Sequence, residues 1–173
     1  MTGFSLEATD GTARTGTLRT AHGDVRTPAF MPVATLGSVK AVDPDDLRTL
    51  EVEIVLANAY HLYLRPGVDV IEELGALHGF MGWDGPLLTD SGGFQGFSLE
   101  RFREITEDGI DFKSHIDGST HRFTPEAAIE YQERLGADVI MPLDVCAPAD
   151  ATRPAAEVAL ERTNRWAERC LRA

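Results

Sequence analysis

"PLLTDSGGFQGFSL", Pro86 to Leu99, joins two kinds of chain that rarely meet. The apolar run Pro86-Leu87-Leu88 stops at Thr89-Asp90-Ser91, and two glycines, Gly92 and Gly93, lead straight to an aromatic ring and an amide, Phe94 and Gln95. A short, nearly continuous apolar run bounded by turn residues reads as a strand buried on both faces, as in a parallel sheet. Here that strand ends on a carboxylate. Three other segments have the same character: "AFMPVATL" (29–36), "EIVLANAYHL" (53–62) and "ADVIMPLDVC" (137–146).

Helical patterns lie between and after these runs. "DPDDLRTL" (43–50) has Pro44 in its first turn and acids at its positive end. "DVIEELGALHGFM" (69–81) carries Val70, Ile71, Leu74 and Leu77 at helical spacing. "TPEAAIEYQERLG" (124–136) opens on a Thr124 cap followed by Pro125 and closes on Gly136. The Glu/Arg-rich segment 153–173 is helical with a solvated face. Strand-helix alternation predicts βαβ units, a parallel sheet and an α/β fold. Asn58, Asp90, Asp144 and Cys146 all fall at the C-terminal ends of apolar runs, the rim that carries reacting groups in (β/α)₈ barrels. No G-x-G-x-x-G follows any strand, which removes the main support for a dinucleotide fold. About four βα units fit residues 29–173, so the expectation is the N-terminal half of a barrel. Residues 1–28, with turn signals at Asp10-Gly11 and His22-Gly23-Asp24, read as an antiparallel β-ribbon extension. A half-barrel alone would expose a sheet edge, an aggregation liability.

Composition narrows the class. With 173 residues, 43% hydrophobic and 25% charged, the chain can bury a core and is globular. It has no apolar run of the ~20 residues a membrane helix needs. The start "MTGFSLEATDG" lacks the pattern of a secretion signal, so a cytoplasmic location is expected. A net charge of -12 argues against an extensive nucleic-acid surface on this chain, though not against a local patch. Cys146 and Cys170 form no C-x-x-C pair, so neither a disulfide nor a zinc site made from these thiols alone is expected.

Several groups could carry chemistry. Asp90 either caps its own turn or acts as a functional carboxylate. Gly92-Gly93 favours the second, because bare backbone allows positive φ and close approach of a ligand. Phe94 adds a flat apolar face and Gln95 a donor-acceptor pair, so the stretch suits a planar, hydrogen-bonding heterocycle. Asp144 ends "VIMPLD" as Asp90 ends "PLLTD"; it is either a loop cap or an acceptor for a guanine-like N–H edge. Cys146 would share its side of an extended strand, though a buried cysteine is commonly inert filler. His61 reads as a residue that orders a loop near the site. His115 and His121 flank Asp117 as a metal cluster would, but Gly118-Ser119 marks a hairpin turn and makes solvated turn residues the better reading.

"LLTDSGGFQ", "NAYHLYLRPG", "FMPVATLGSVKAV" and "VIMPLDVCAP" resemble, in order and spacing, the N-terminal portion of the tRNA-guanine transglycosylases, and fit the bacterial, queuine-pathway branch better than the archaeosine branch. The resemblance covers essentially the whole chain, and DSGGFQ with HL-x-LRPG is its most specific part. It implies a (β/α)₈ barrel with an N-terminal β-extension and a zinc-binding insertion late in the chain. The implied reaction replaces the wobble guanine of certain tRNA anticodons by a 7-deazaguanine through a covalent intermediate, within queuosine biosynthesis. It implies that Asp90 is the general acid/base, that Ser91, Gly92, Gly93 and Phe94 complete the base pocket, and that Asp144 reads the guanine edge, with Asn58 and Cys146 beside it. The implied partners are a tRNA anticodon loop, the guanine or deazaguanine base and a second copy in a homodimer.

The departures are specific. The family's nucleophilic Asp, its zinc ligands (C-x-C-x-x-C followed by His) and its basic tRNA surface have no counterpart in these 173 residues. Phe94 stands where characterised bacterial members commonly have Tyr, and Asp144-Val145-Cys146 where they have Asp-Glu-Cys. The expectation is therefore a truncated pentosyltransferase that is inactive alone. Two alternatives stay open: a non-catalytic base- or RNA-binding partner, and a barrel hydrolase using Asp90 and Asp144 on a small substrate.

Overall fold

The computed structural model describes residues 3–94 and 103–173. It is a mixed α/β fold built on three small sheets. Strands β1 (Gly3–Asp10), β2 (Ala13–Thr20) and β3 (Gly23–Thr27) form the antiparallel ribbon expected from the turn signals, with a bulge between Leu6 and Ala8. Gly11 takes the left-handed φ of +58° that the first turn demands.

The second sheet is parallel, in the order β4 (Val33–Ala34), β5 (Val55–Ala57), β6 (Leu87–Thr89). Ala34 pairs with Ala57, and Ala57 with Thr89. The fourth apolar run contributes only a parallel bridge between Leu88 and Val139. The runs are thus sheet-forming over two or three residues, far shorter than their apolar length. One face is sealed: Ala34, Val55, Ala57, Leu87 and Thr89 are all fully buried. On the other face Leu56 and Leu88 are only half-buried and Val33 is exposed, which corrects the expectation of strands buried on both sides.

Helices cover the sealed face. Helix α1 (Pro44–Thr49) begins with a full capping box, Asp43 and Asp46 each accepting from the other's backbone N–H. The segment 53–62 is not one strand. Asn58 ends β5 and caps α2 (Ala59–Leu64), its side chain accepting from His61 N–H. The segment 69–81 is not one helix either: α3 (Val68–Glu73) and α4 (Ala76–Met81) are separated by Gly75 at φ +89°. Leu47, Leu62, Ile71, Leu77 and Trp83 pack with Leu135 against the sheet. Leu135 belongs to α5 (Pro125–Leu135), which keeps its expected Thr124 cap and Gly136 stop.

The third sheet is antiparallel, in the order β7 (Arg103–Ile105), β8 (Ile110–Lys113), β9 (Thr120–Phe123), and only its final turn at Gly118-Ser119 was foreseen. Ile110, Phe112 and Phe123 pack with Tyr60, Ala128, Ile129, Leu143 and Trp166 in a second core. Trp166 and Cys170 come from α6 (Arg153–Cys170). The arginines of α6 are not merely solvated. Arg165 and Arg162 grip Glu107 and hold its carboxyl at about 2, and Arg169 pairs with Glu126. Among the described residues no helix is long and apolar enough to cross a membrane.

The ribbon is tied to the parallel sheet through Asp138. Its fully buried carboxylate accepts from Leu87 N–H (2.9 Å), from His22 N–H (3.2 Å) and from His22 Nδ1 (2.8 Å). Burial alone would push this carboxyl up; the hydrogen bonds outweigh that and hold it below the ordinary carboxylate range. His78 stacks on His22 with centroids 3.6 Å apart, and burial followed by the neighbouring His22 pushes His78 down. His61 is pushed down likewise by burial and by His115. A histidine whose folded value lies below the unfolded value of about 6.5 favours folding above that pH and destabilises the fold as pH drops towards the folded value. The urea midpoint therefore falls between about pH 7.5 and about pH 5.5, and His78→Gln reduces that fall. An identical pH difference in the variant would contradict the assignment.

Candidate functional site

Asp90 follows β6 directly and its N–H is bonded to Ala57 O (3.2 Å), so the parallel register places its carboxylate beside the end of β5. There it accepts from Asn58 Nδ2 (2.5 Å) and from Ala59 N–H (2.9 Å). It therefore caps the helix that begins one strand away. Asn58 is buried and bifunctional: its oxygen serves His61 N–H while its amino group serves Asp90. That pairing fixes the amide orientation.

Ser91, also buried, links the first carboxylate to the second. Its hydroxyl donates to Asp144 Oδ1 (3.0 Å) and accepts from Gly93 N–H (3.2 Å). Cys146 Sγ donates to Asp144 Oδ2 (3.3 Å). Burial, the Asp144 charge and this hydrogen bond push the thiol up to about 11. Cys146 is a protonated donor at neutral pH and no nucleophile.

Gly92 and Gly93 have a requirement internal to the chain. Gly92 has φ +76°, and a Cβ there would lie 3.0 Å from Tyr60 Cβ. At Gly93 a Cβ would lie 2.6 Å from Asp144 Oδ1 and 2.8 Å from Asp144 O. The second glycine lets Asp144 close onto Ser91. Phe94 follows with its ring more than half exposed. Gln95 lies outside the described residues.

The structure thus brings together Asn58, Asp90, Ser91, Gly93, Asp144 and Cys146. The histidines have other roles. His115 Nδ1 meets Tyr60 OH (3.1 Å), and His121 meets Tyr63 OH (2.9 Å) and Ser119 Oγ (2.6 Å). Asp117 bonds the hydroxyl and N–H of Ser119, a turn closure.

Among the described residues, His22, His78 and Asp138 alone gather as a group of three potential metal ligands, their ligand atoms within 4.8 Å of one another. Their rings are tilted by only 22° and stacked 3.6 Å apart, so no point lies in both ring planes within a metal–nitrogen bond of about 2 Å. His78 Nε2 moreover faces Gly85 O at 3.1 Å as a donor. The zinc implied by the resemblance does not fit these residues either. Cys146 is bonded to Asp144, and the thiol of buried Cys170 faces Pro125 O.

The queuine tRNA-ribosyltransferase family model matches residues 9–173. The chain belongs to that family. It is 55% identical over 170 residues to the queuine tRNA-ribosyltransferase of Solidesulfovibrio magneticus, covering 98% of this chain and 46% of that protein. The corresponding protein of Nitratidesulfovibrio vulgaris is 56% identical over 167 residues, covering 96% and 44%. That of Herpetosiphon aurantiacus is 55% identical over 170 residues, covering 98% and 43%. The chain spans less than half the length of these curated relatives.

Asp144→Asn removes the charge that, after burial, raises the Cys146 thiol. The Cys146 thiol then titrates below its wild-type value of about 11, and iodoacetamide labels it faster at pH 8. Peptide mass mapping of labelled Cys146 checks this; unchanged labelling would contradict the Asp144–Cys146 contact.

Proposed function

We propose that this chain provides the proton-handling carboxylate and the purine pocket of a tRNA-guanine transglycosylase, a cytoplasmic pentosyltransferase that exchanges the wobble guanine of tRNA for a 7-deazaguanine. The observation that supports it most is the linked unit Asn58–Asp90 and Ser91–Asp144, in which Asn58 holds Asp90 and the next residue, Ser91, donates to Asp144.

Retaining cleavage of an N-glycosidic bond needs one carboxylate to attack the anomeric carbon and another to manage the proton. Asp90 takes the second role: it gives a proton to the departing guanine and accepts one from the incoming base. Asn58 Nδ2 and Ala59 N–H hold its oxygens in place for both steps. Asp144 accepts the paired N–H groups of the guanine edge. Its contacts with Ser91 and Cys146 use one site on each oxygen, and an ionised carboxylate offers about four. The open face of Phe94 stacks on the purine, with Ser91, Gly92 and Gly93 forming the wall behind it. The guanosine must leave its stack to enter, which costs least in a single-stranded anticodon loop.

The attacking carboxylate belongs, by resemblance, to a later strand of the family's barrel, as do the structural zinc ligands. The half-open face of the parallel sheet supports that reading. Helices cover one face, while Val33, Leu56, Leu88 and exposed Met141 lie on or beside the other, as the inner wall of an incomplete (β/α)₈ barrel would. In this reading 29–173 is the N-terminal part of that barrel domain, 1–28 its extension, and the assembled enzyme a homodimer.

Radiolabelled guanine incorporation into tRNA tests the reading, with the chain joined in frame to the C-terminal part of the Solidesulfovibrio magneticus relative. Asp90→Ala lowers kcat by about 10²–10⁴-fold, the usual contribution of a general acid/base. Asp144→Ala chiefly raises the KM for guanine, roughly ten- to a hundredfold, the equivalent of charge-assisted hydrogen bonds. Wild-type exchange in the Asp90 variant would overturn the assignment.

A further inference from the structure

Gln132 of α5 is fully buried, and all four hydrogen-bonding positions of its amide are filled. Oε1 accepts from Thr89 Oγ1 (3.0 Å) and from Met141 N–H (2.9 Å). Nε2 donates to Met141 O (2.8 Å) and to Ala128 O (2.9 Å). The amide therefore binds both backbone groups of Met141, as a neighbouring strand would. It does so two residues beyond Val139, where the parallel bridge to Leu88 ends. Thr89 immediately precedes Asp90, and Met141 lies three residues before Asp144.

The two sides depend on Gln132 unequally. Thr89 is also held through its N–H to Val139 O, and Asp90 through Ala57 O, Asn58 and Ala59. Between Val139 and Asp144 the backbone is held at Met141 by Gln132 and at Leu143 by burial and a backbone hydrogen bond to the Cys170 thiol; Val145 beyond it is tied to Thr163. Freeing Met141 thus loosens the approach to Asp144, leaving it to Leu143, while Asp90 stays anchored at Ala57, Asn58 and Ala59.

From this we infer that Gln132 is a positioning residue for base recognition: it sets the reach of Asp144 to the turn that carries Asp90 and Ser91, and acts on guanine affinity more than on proton transfer. The inference rests on the function proposed above. It has one consequence that needs no activity, because Cys146 reports where Asp144 is.

Gln132→Leu keeps the volume and removes all four hydrogen bonds; Gln132→Glu keeps the Oε1 acceptor and sets a second acceptor against the Ala128 and Met141 carbonyls. Both are compared with wild type after circular dichroism confirms the fold, and if the leucine variant does not fold the glutamate variant decides. The first readout is the pH profile of iodoacetamide labelling at Cys146. The expected result is a midpoint at least one pH unit below wild type. The second is guanine exchange by the fused protein, where KM rises at least tenfold while kcat stays within threefold. A residue that only stabilised the fold would reduce the active fraction, lowering kcat at constant KM. Folded variants with wild-type labelling and wild-type KM, or a fall in kcat alone, would overturn the inference. If the wild-type fusion fails to exchange guanine, the functional reading falls by itself, and the Cys146 profile still decides whether Gln132 places Asp144.

Discussion

The carboxylate of Asp90 lies at the start of α2, taking the Ala59 N–H and the Asn58 amino group while its own N–H reaches back to Ala57. Parallel pairing of β5 and β6 makes this geometry available. Because Ala57 lies opposite Thr89, the next residue of each strand, Asn58 and Asp90, emerges on the same edge. One residue later the two chains diverge, into a helix on one side and a glycine turn on the other. A one-residue slip in register would carry Asp90 to the opposite face of the sheet. Around that contact Ser91 can turn to Asp144, and Gly93 can let Asp144 approach. The chemistry proposed for the site thus depends on one strand register and on the small volume of two glycines.

Much of this was legible in the residues. The first turn of α1, the cap and stop of α5, the ribbon and the strand end at Asp90 followed from local turn and capping chemistry, which depends on neighbours within about four residues. The convergence of Asp90 with Asp144 followed from their like positions and from the family motifs. Other divisions of the chain were masked by the hydrophobic pattern itself. "EIVLANAYHL" looks uniformly apolar, and only the demand of Asn58 for His61 N–H divides it into strand and helix. Gly75 breaks 69–81 because its φ of +89° reverses the chain, although the apolar spacing runs on without interruption. Strands β7 to β9 carry only Ile105, Ile110, Phe112 and Phe123 as apolar residues and were visible only at their last turn.

The roles of the glycines and of Gln132 were the least legible. Gly92-Gly93 suggested room for a ligand, whereas the space above Gly93 is taken by Asp144 itself. Gln132 sits in an ordinary amphipathic helix, and apart from Ala128 its partners are 43 residues before it and nine after. A buried amide with every position satisfied leaves no local trace. The same holds for Asp138, which reaches Leu87 and His22 across 51 and 116 residues. These long-range polar contacts position the site, and they couple the ribbon, the sheet and the helical layer.

The most direct test of the account is an amide-resolved NMR titration of the chain with 7-deazaguanine. The account predicts shifts centred on Ser91, Gly92, Gly93 and Asp144 that vanish in Asp144→Ala while the rest of the spectrum is kept. Shifts centred elsewhere, or an undiminished response in that variant, would contradict it.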